Sequence, residues 1–170
     1  MTPLQRVRRL LAEQRVPHAL IGAAALAVHG VSRATLDQDL LVMDQRVLVP
    51  AFWDPLRTEM AVDVRGGDID DPLAGVVRLG QPSDQGSEVV VGRPRWQEAV
   101  LARAEPRGPE QLLVVQAADL VMLKLYAGGS QDRWDIEQLL ALHPDLARVV
   151  DERVGELPAR SREIWALWRS

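Results

Sequence analysis

His18-Ala-Leu-Ile-Gly22, Ala23-Ala-Ala-Leu-Ala-Val-His-Gly30 and, after Val31-Ser-Arg-Ala-Thr35, Asp37-Gln-Asp-Leu-Leu-Val-Met43 form the stretch whose reading decides the fold. The first run is short, apolar and closed by glycine, the pattern of a buried strand followed by a backbone position that needs room. The second is rich in alanine and stops at Gly30, as a short helix with a glycine past its end would. The third begins polar and ends apolar, a second strand that enters the core. Strand, glycine turn, short helix, strand is the unit from which the rest is assembled.

Working outward, Leu4, Val7, Leu10 and Leu11 at helical spacing predict an amphipathic helix over 3–15, ended by Pro17. A surface helix is expected over 45–56 and a strand over 60–64, then a loop in Gly66-Gly-Asp-Ile-Asp-Asp-Pro72. Strands over 74–79 and 88–91, joined by a polar turn at 81–86, predict a hairpin. A helix over 95–104 and a last strand over 111–115 follow. Four helices are expected after that, over 117–127, 132–142, 146–155 and 158–169. The expected fold class is α+β: a small mixed β-sheet in residues 1–116 and a C-terminal helical region, 117–170, packed on it as one compact unit.

The 170 residues are 47% hydrophobic and 26% charged with no cysteine. That excludes disorder, disulfide frameworks, thiolate catalysis and cysteine-based metal centres, and leaves oxygen-ligand metals open. No apolar run reaches the length of a membrane span, so a soluble, cytoplasmic chain is expected. The net charge of −4 argues against a chain-wide nucleic-acid footprint. Nineteen of the 20 basic residues are arginine, and the single lysine is Lys124.

Asp37 and Asp39 are two apart at the start of a strand, so both side chains project from one face. Paired carboxylates there suit Mg²⁺, which takes one or two protein carboxylates and completes its shell with water and phosphate oxygens. Two such ions about 3.5–4 Å apart would clamp the attacking and leaving oxygens of a phosphoryl displacement. The same spacing recurs at Asp68 and Asp70, in a glycine-rich turn where solvated carboxylates need no special reason. Asp37 and Asp39 are therefore either a metal pair or a polar strand entry. Lys124, between Leu123 and Leu125, is either a phosphate-binding cation or a snorkelling helix residue. Asp132 and Asp135 are either site residues or an N-cap and a first-turn acid. His29 and His143 read as structural. Arg93, Arg95, Arg103 and Arg107 form a basic cluster, a solvated face or a nucleic-acid contact. Ile164, Trp165, Leu167 and Trp168 form a helical stripe for core packing or a homodimer face.

Taken together, Leu20-Ile-Gly-Ala23, Ala27-Val-His-Gly30, Arg33-Ala-Thr35 and Asp37-Gln-Asp-Leu-Leu-Val42 resemble the signature of the nucleotidyltransferase fold superfamily, most nearly minimal enzymes of the AbiEii toxin type. Ala118-Asp-Leu-Val-Met-Leu-Lys-Leu-Tyr-Ala127 and Asp132-Arg-Trp-Asp-Ile-Glu-Gln-Leu-Leu140 resemble the family's C-terminal helical pair. The resemblance implies Mg²⁺-dependent transfer of a nucleoside monophosphate from an NTP to a hydroxyl acceptor. It places the triphosphate near Gly22 and Ala23, and makes Asp37, Asp39 and a third carboxylate, Glu88, the catalytic metal ligands, with Asp63 as the second candidate for the third place. Arg33, Lys124, Asp132 and Asp135 become nucleotide-site residues. It also implies a toxin role with tRNA or a protein as acceptor and an antitoxin as partner. Ala23 stands where the family has glycine or serine, and Glu88 is one methylene longer than aspartate. These departures define the alternative: a catalytically weakened relative that binds nucleotide or a partner chain.

Overall fold

The structure, a computed structural model, describes residues 1–34, 37–81 and 86–170. Thr35 of the Arg33-x-Thr35 element and residues 82–85 of the hairpin turn lie outside the described residues. In chain order the elements are α1 (Pro3–Glu13), β1 (His18–Ile21), α2 (Gly22–Val28), β2 (Gln38–Val42), β3 (Val62–Gly66), β4 (Leu73–Leu79), β5 (Ser87–Gly92), α3 (Trp96–Ala102), β6 (Glu105–Arg107), β7 (Leu112–Val114), α4 (Ala117–Ala127), α5 (Ser130–Leu142), α6 (Leu146–Arg153) and α7 (Ala159–Arg169).

All seven strands join one mixed sheet in the order β3-β4-β5-β2-β1-β7-β6. β2 runs parallel to β5 and β1 parallel to β7; the other pairs are antiparallel, including the expected β4–β5 hairpin. The apolar part of β2, Leu40 to Val42, is buried at the centre of the sheet, which is why that strand reads as apolar, while its polar start lies at the strand's N-terminal end. α1 starts where the sequence stops hydrogen-bonding to itself elsewhere. Thr2 Oγ1 accepts from Gln5 N and Gln5 Oε1 from Thr2 N, a reciprocal cap with Pro3 in the first turn.

Two expectations are corrected. Residues 45–56 do not form a surface α-helix but two 3₁₀ helices, Gln45–Leu48 and Pro50–Leu56. Pro50 and Pro55 each remove a backbone donor, so no continuous α-helical ladder can run through the segment. It is also not all surface: Trp53 is fully buried, its indole N–H donating to Val47 O at 2.7 Å. The second correction is β6, which extends the sheet beyond the expected last strand. Its Glu-Pro-Arg sequence carries no apolar alternation to announce it, and proline is tolerated there because β6 is an edge strand.

The helical third packs through α4, which buries Leu120, Val121, Met122 and Leu125. Its end is set by Gly128, at φ +71° in the left-handed region. One residue later Gly129 N–H donates to Asp132 Oδ2 at 3.0 Å and α5 begins. This tight glycine corner folds α5 back along α4 and brings the start of one against the end of the other. In α7, Trp165 belongs to the core and donates to Asp151 Oδ1 at 2.7 Å, while Leu167 is exposed. No helix among the described residues is long and apolar enough to cross a membrane.

Candidate active site

The registers of four strand pairs place Ile21 opposite Asp39, Asp39 beside Glu88, Glu88 opposite Arg78, and Arg78 opposite Asp63. Paired positions project to the same side of a sheet. Asp39, Glu88, Arg78 and Asp63 thus form one row across β2, β5, β4 and β3. With Asp37 they line a cleft of about 510 Å³. Arg78 is the residue of this row that the sequence reading missed. Its signal was a charge inside the apolar run from Leu73 to Leu79, half of which is buried. Arg78 Nε donates to Glu88 Oε1 at 2.7 Å, and Asp63 is paired with Arg65 at 2.8 Å.

Burial, first, and then the nearby charges of Glu88 and Asp37 push the Asp39 carboxyl up to about 6, with Lys124 pulling in the other direction. Asp39 is therefore a carboxylate starved of positive charge. Gly22, at φ +66°, lies directly against it: a Cβ there would collide with Asp39 Oδ2. The glycine ending the first strand is thus required twice, by its backbone angle and by the carboxylate beside it. Ala23 follows as the next residue of α2. Gly22→Ala is expected to cost about 1–3 kcal/mol in urea unfolding, from the left-handed backbone and the displaced carboxylate together. Wild-type stability for that variant would mean that Asp39 turns away freely.

A second charged cluster sits at the α4–α5 corner, outside the lining of the carboxylate cleft but near enough for Lys124 to act on Asp39. Lys124 Nζ lies 2.7 Å from Asp135 Oδ2 and 3.1 Å from Asp132 Oδ1. Arg33 NH1 reaches the same Asp135 oxygen at 3.2 Å. Lys124 is 8% exposed and Asp135 not at all, so Lys124 is no snorkelling surface lysine. Asp132 is not the N-cap but the third residue of α5, its carboxylate accepting from the N-cap Gly129 N–H and also pairing with Lys124; Asp135 lies one turn in and is buried. Arg33, a nucleotide-site residue by the resemblance, is paired with the buried Asp135.

Among the described residues no three His, Asp or Glu side chains converge as a ready-made metal cage. The donor set at Asp37 and Asp39 nonetheless fits a hard divalent cation, since it offers only carboxylate oxygens in a place that is short of positive charge. Glu88, the expected third ligand, lines the same cleft but is held by Arg78. The histidines are structural: the ring Nε2 of His29 donates to Val115 O and that of His143 to His29 O, both at 2.8 Å. Of the basic cluster only Arg103 is tied to a buried group, while Arg93, Arg95 and Arg107 lie at the surface. Arg103 grips the buried Asp119 through two hydrogen bonds, Arg93 donates to carbonyls of the 68–73 loop, and Arg107 pairs with Glu105.

Three solved structures share the fold over 82–98% of this chain. The antibiotic-resistance factor ANT(2'')-Ia in solution matches with a TM-score of 0.55 and 12% identity over 98% of this chain and 92% of its own. ANT(2'')-Ia in complex with adenylyl-2''-tobramycin matches at 0.52 and 11% identity, covering 98% and 97%. The lincomycin-bound lincosamide antibiotic adenylyltransferase LnuA matches at 0.51 and 11% identity over 82% and 96%. The chain has the nucleotidyltransferase fold. No family model matches the sequence, and no curated protein does either. At these identities the nucleotidyltransferase fold is shared in backbone and not in side chains, so the site's chemistry must be argued from its own residues.

Proposed function

We propose that the protein is a Mg²⁺-dependent nucleotidyltransferase that moves a nucleoside monophosphate from an NTP to an acceptor hydroxyl. The observation that carries this reading is a charge-starved carboxylate, Asp39, packed against a bare glycine backbone and within the field of a buried lysine. A triphosphate needs that set of neighbours. Gly22 lets the chain approach phosphate closely, and Lys124, fixed by Asp132 and Asp135, acts on it as a point charge. Asp37 and Asp39 would hold the metal, with Glu88 or Asp63 as third carboxylate. When bound, the metal supplies charge neutralisation at the phosphate and acceptor oxygens.

The acceptor oxygen bonds to the α-phosphorus and the bond from that phosphorus to its bridging oxygen breaks. Pyrophosphate leaves, and the hydroxyl proton passes to a cleft carboxylate, Glu88 first by position. Catalysis of this kind is positioning and charge stabilisation more than covalent work by the protein. The AbiEii-type toxin role, with tRNA or a protein as acceptor, an antitoxin partner and a cytoplasmic setting, rests on the two motif blocks. Arg93, Arg95 and Arg107 lie at the surface, where a tRNA backbone could meet them, and a small hydroxyl-bearing acceptor, as in the tobramycin and lincomycin complexes of the structural neighbours, is the second reading.

Incubation with each labelled NTP, Mg²⁺ and three acceptor pools (tRNA, protein, small polyols and aminoglycosides) tests both. Label transfer abolished by Asp37→Asn/Asp39→Asn is expected. Saturable NTP binding without transfer to any pool would select the weakened, binding-only relative. Transfer unchanged in the double variant would remove the site from the reaction.

A further inference from the structure

We infer that a second basin, beside the Lys124 cluster, is the nucleobase subsite, with Trp134 as its stacking platform; the inference rests on the nucleotide-binding reading above. The basin, of about 490 Å³, is lined by Ser32, Arg33, Ala34, Ser130, Gln131 and Trp134. Trp134 is 43% exposed, whereas Trp53 and Trp165 are buried at 0% and 3%. An indole open to water beside a basin gives up apolar burial unless something covers its face.

What covers it follows from position and charge. Trp134 lies on α5 one turn from Gln131 and Ser130, beside the Asp132 and Asp135 that hold Lys124. The basin is wired to the phosphate cation through a single carboxylate. Asp135 receives Lys124 and Arg33 on one oxygen, and Gln131 Nε2 at 3.3 Å on the other. With its amide N–H₂ committed there, Gln131 keeps its carbonyl oxygen as an acceptor for an exocyclic amine. No carboxylate lines the basin among the described residues, while the β-sheet cleft is lined by Asp37, Asp39, Asp63 and Glu88. A nucleotide extending from Lys124 meets like charge in the second direction and an aromatic, amide and hydroxyl surface in the first. The base is therefore assigned to Trp134 and the acceptor to the carboxylate cleft. An aminopurine uses both the stacking area and the Gln131 acceptor.

Calorimetry of the full chain with Mg²⁺, using ATP, UTP and inorganic tripolyphosphate as probes, tests this. Wild type should bind ATP more tightly than tripolyphosphate. Trp134→Ala should weaken ATP roughly 5- to 150-fold, the range of one base–aromatic stack, and leave tripolyphosphate unchanged. Trp134→Phe should retain most of the affinity, and ATP but not tripolyphosphate should quench the wild-type tryptophan fluorescence. Equal losses for ATP and tripolyphosphate, or no loss for ATP, would overturn the assignment. So would an effect confined to acceptor KM, which would hand the basin to the acceptor. Wild type binding tripolyphosphate as tightly as ATP defeats the base subsite alone. Wild type binding neither defeats the nucleotide reading itself.

Discussion

Asp39→Asn is expected to make the folded protein more stable at pH 7 while lowering nucleotide transfer by about three orders of magnitude or more. The two effects have one cause. The carboxyl stands at about 6 in the folded chain against an ordinary 3.8, because it is buried and faces Glu88 and Asp37. Two units correspond to about 3 kcal/mol by which the fold prefers the protonated form. Below pH 4 both folded and unfolded chains carry the proton and nothing is lost. Between about pH 4 and 6 the unfolded chain ionises first, so stability falls as pH rises; above 6 the full cost of the buried charge is present. Asparagine keeps the shape without the charge. Thermal unfolding in chelator should therefore show the variant level with wild type at pH 4 and ahead of it, by about 1–2 kcal/mol, at pH 7. Mg²⁺ should narrow that gap by raising the wild-type midpoint alone. A variant less stable than wild type at pH 7 in chelator would mean that the carboxylate holds the fold together and is not stored for a ligand.

This conflict between stability and function also explains which parts of the site could be read from sequence. Asp37 and Asp39 were legible because they interrupt a strand that is otherwise apolar, a local conflict that periodicity exposes. Gly22 was legible as a position needing room, though not what fills that room; a Cβ clash with Asp39 is a non-local fact of the β1–β2 register. Lys124 was legible only as an unusual residue in this composition. That it is buried depends on the Gly128–Gly129 corner, which decides how closely α5 returns over α4. Arg78 and the β6 edge strand were hidden for the same reason. An isolated charge in a short strand, or three residues of Glu-Pro-Arg, has no pattern of its own. The segment 45–56 misled because its apolar spacing suits a helix, and only its prolines say which kind.

The row from Asp39 to Asp63 and the Lys124 corner divide the labour of the site between the sheet and the helices. The sheet presents carboxylates at fixed spacing, pairs Glu88 with Arg78 and Asp63 with Arg65, and leaves Asp39 short of positive charge. The helical corner presents cations already paired with their own carboxylates. The corner is balanced within itself, so a divalent cation at Asp37 and Asp39 is what would offset the charge the sheet leaves unpaired.

Lys124→Met tests the helical half and carries the largest stability effect. The sequence alone suggests that removing this lysine weakens nucleotide binding and leaves the fold intact; its burial changes the second expectation. Asp135, with no side-chain exposure, would lose its partner at 2.7 Å and keep Arg33 at 3.2 Å and Gln131 Nε2 at 3.3 Å. Removing one member of a buried pair costs about 3–5 kcal/mol when the other charge is left alone, so with Arg33 still in place a loss of about 2–3 kcal/mol is expected. The double variant Lys124→Met/Asp135→Asn removes that stranded charge and should recover more than half of the loss in urea unfolding. Nucleotide binding should separate from this recovery. A lost charge-assisted contact to phosphate is worth about 1.5–3 kcal/mol, roughly 10- to 150-fold in affinity, and the double variant does not restore it. Stability that recovers while affinity does not assigns Lys124 two roles, one as clamp of the α4–α5 corner and one as phosphate cation. Affinity that returns with stability would leave only the clamp, and a single variant as stable as wild type would show that the ion pair does not hold the corner at all.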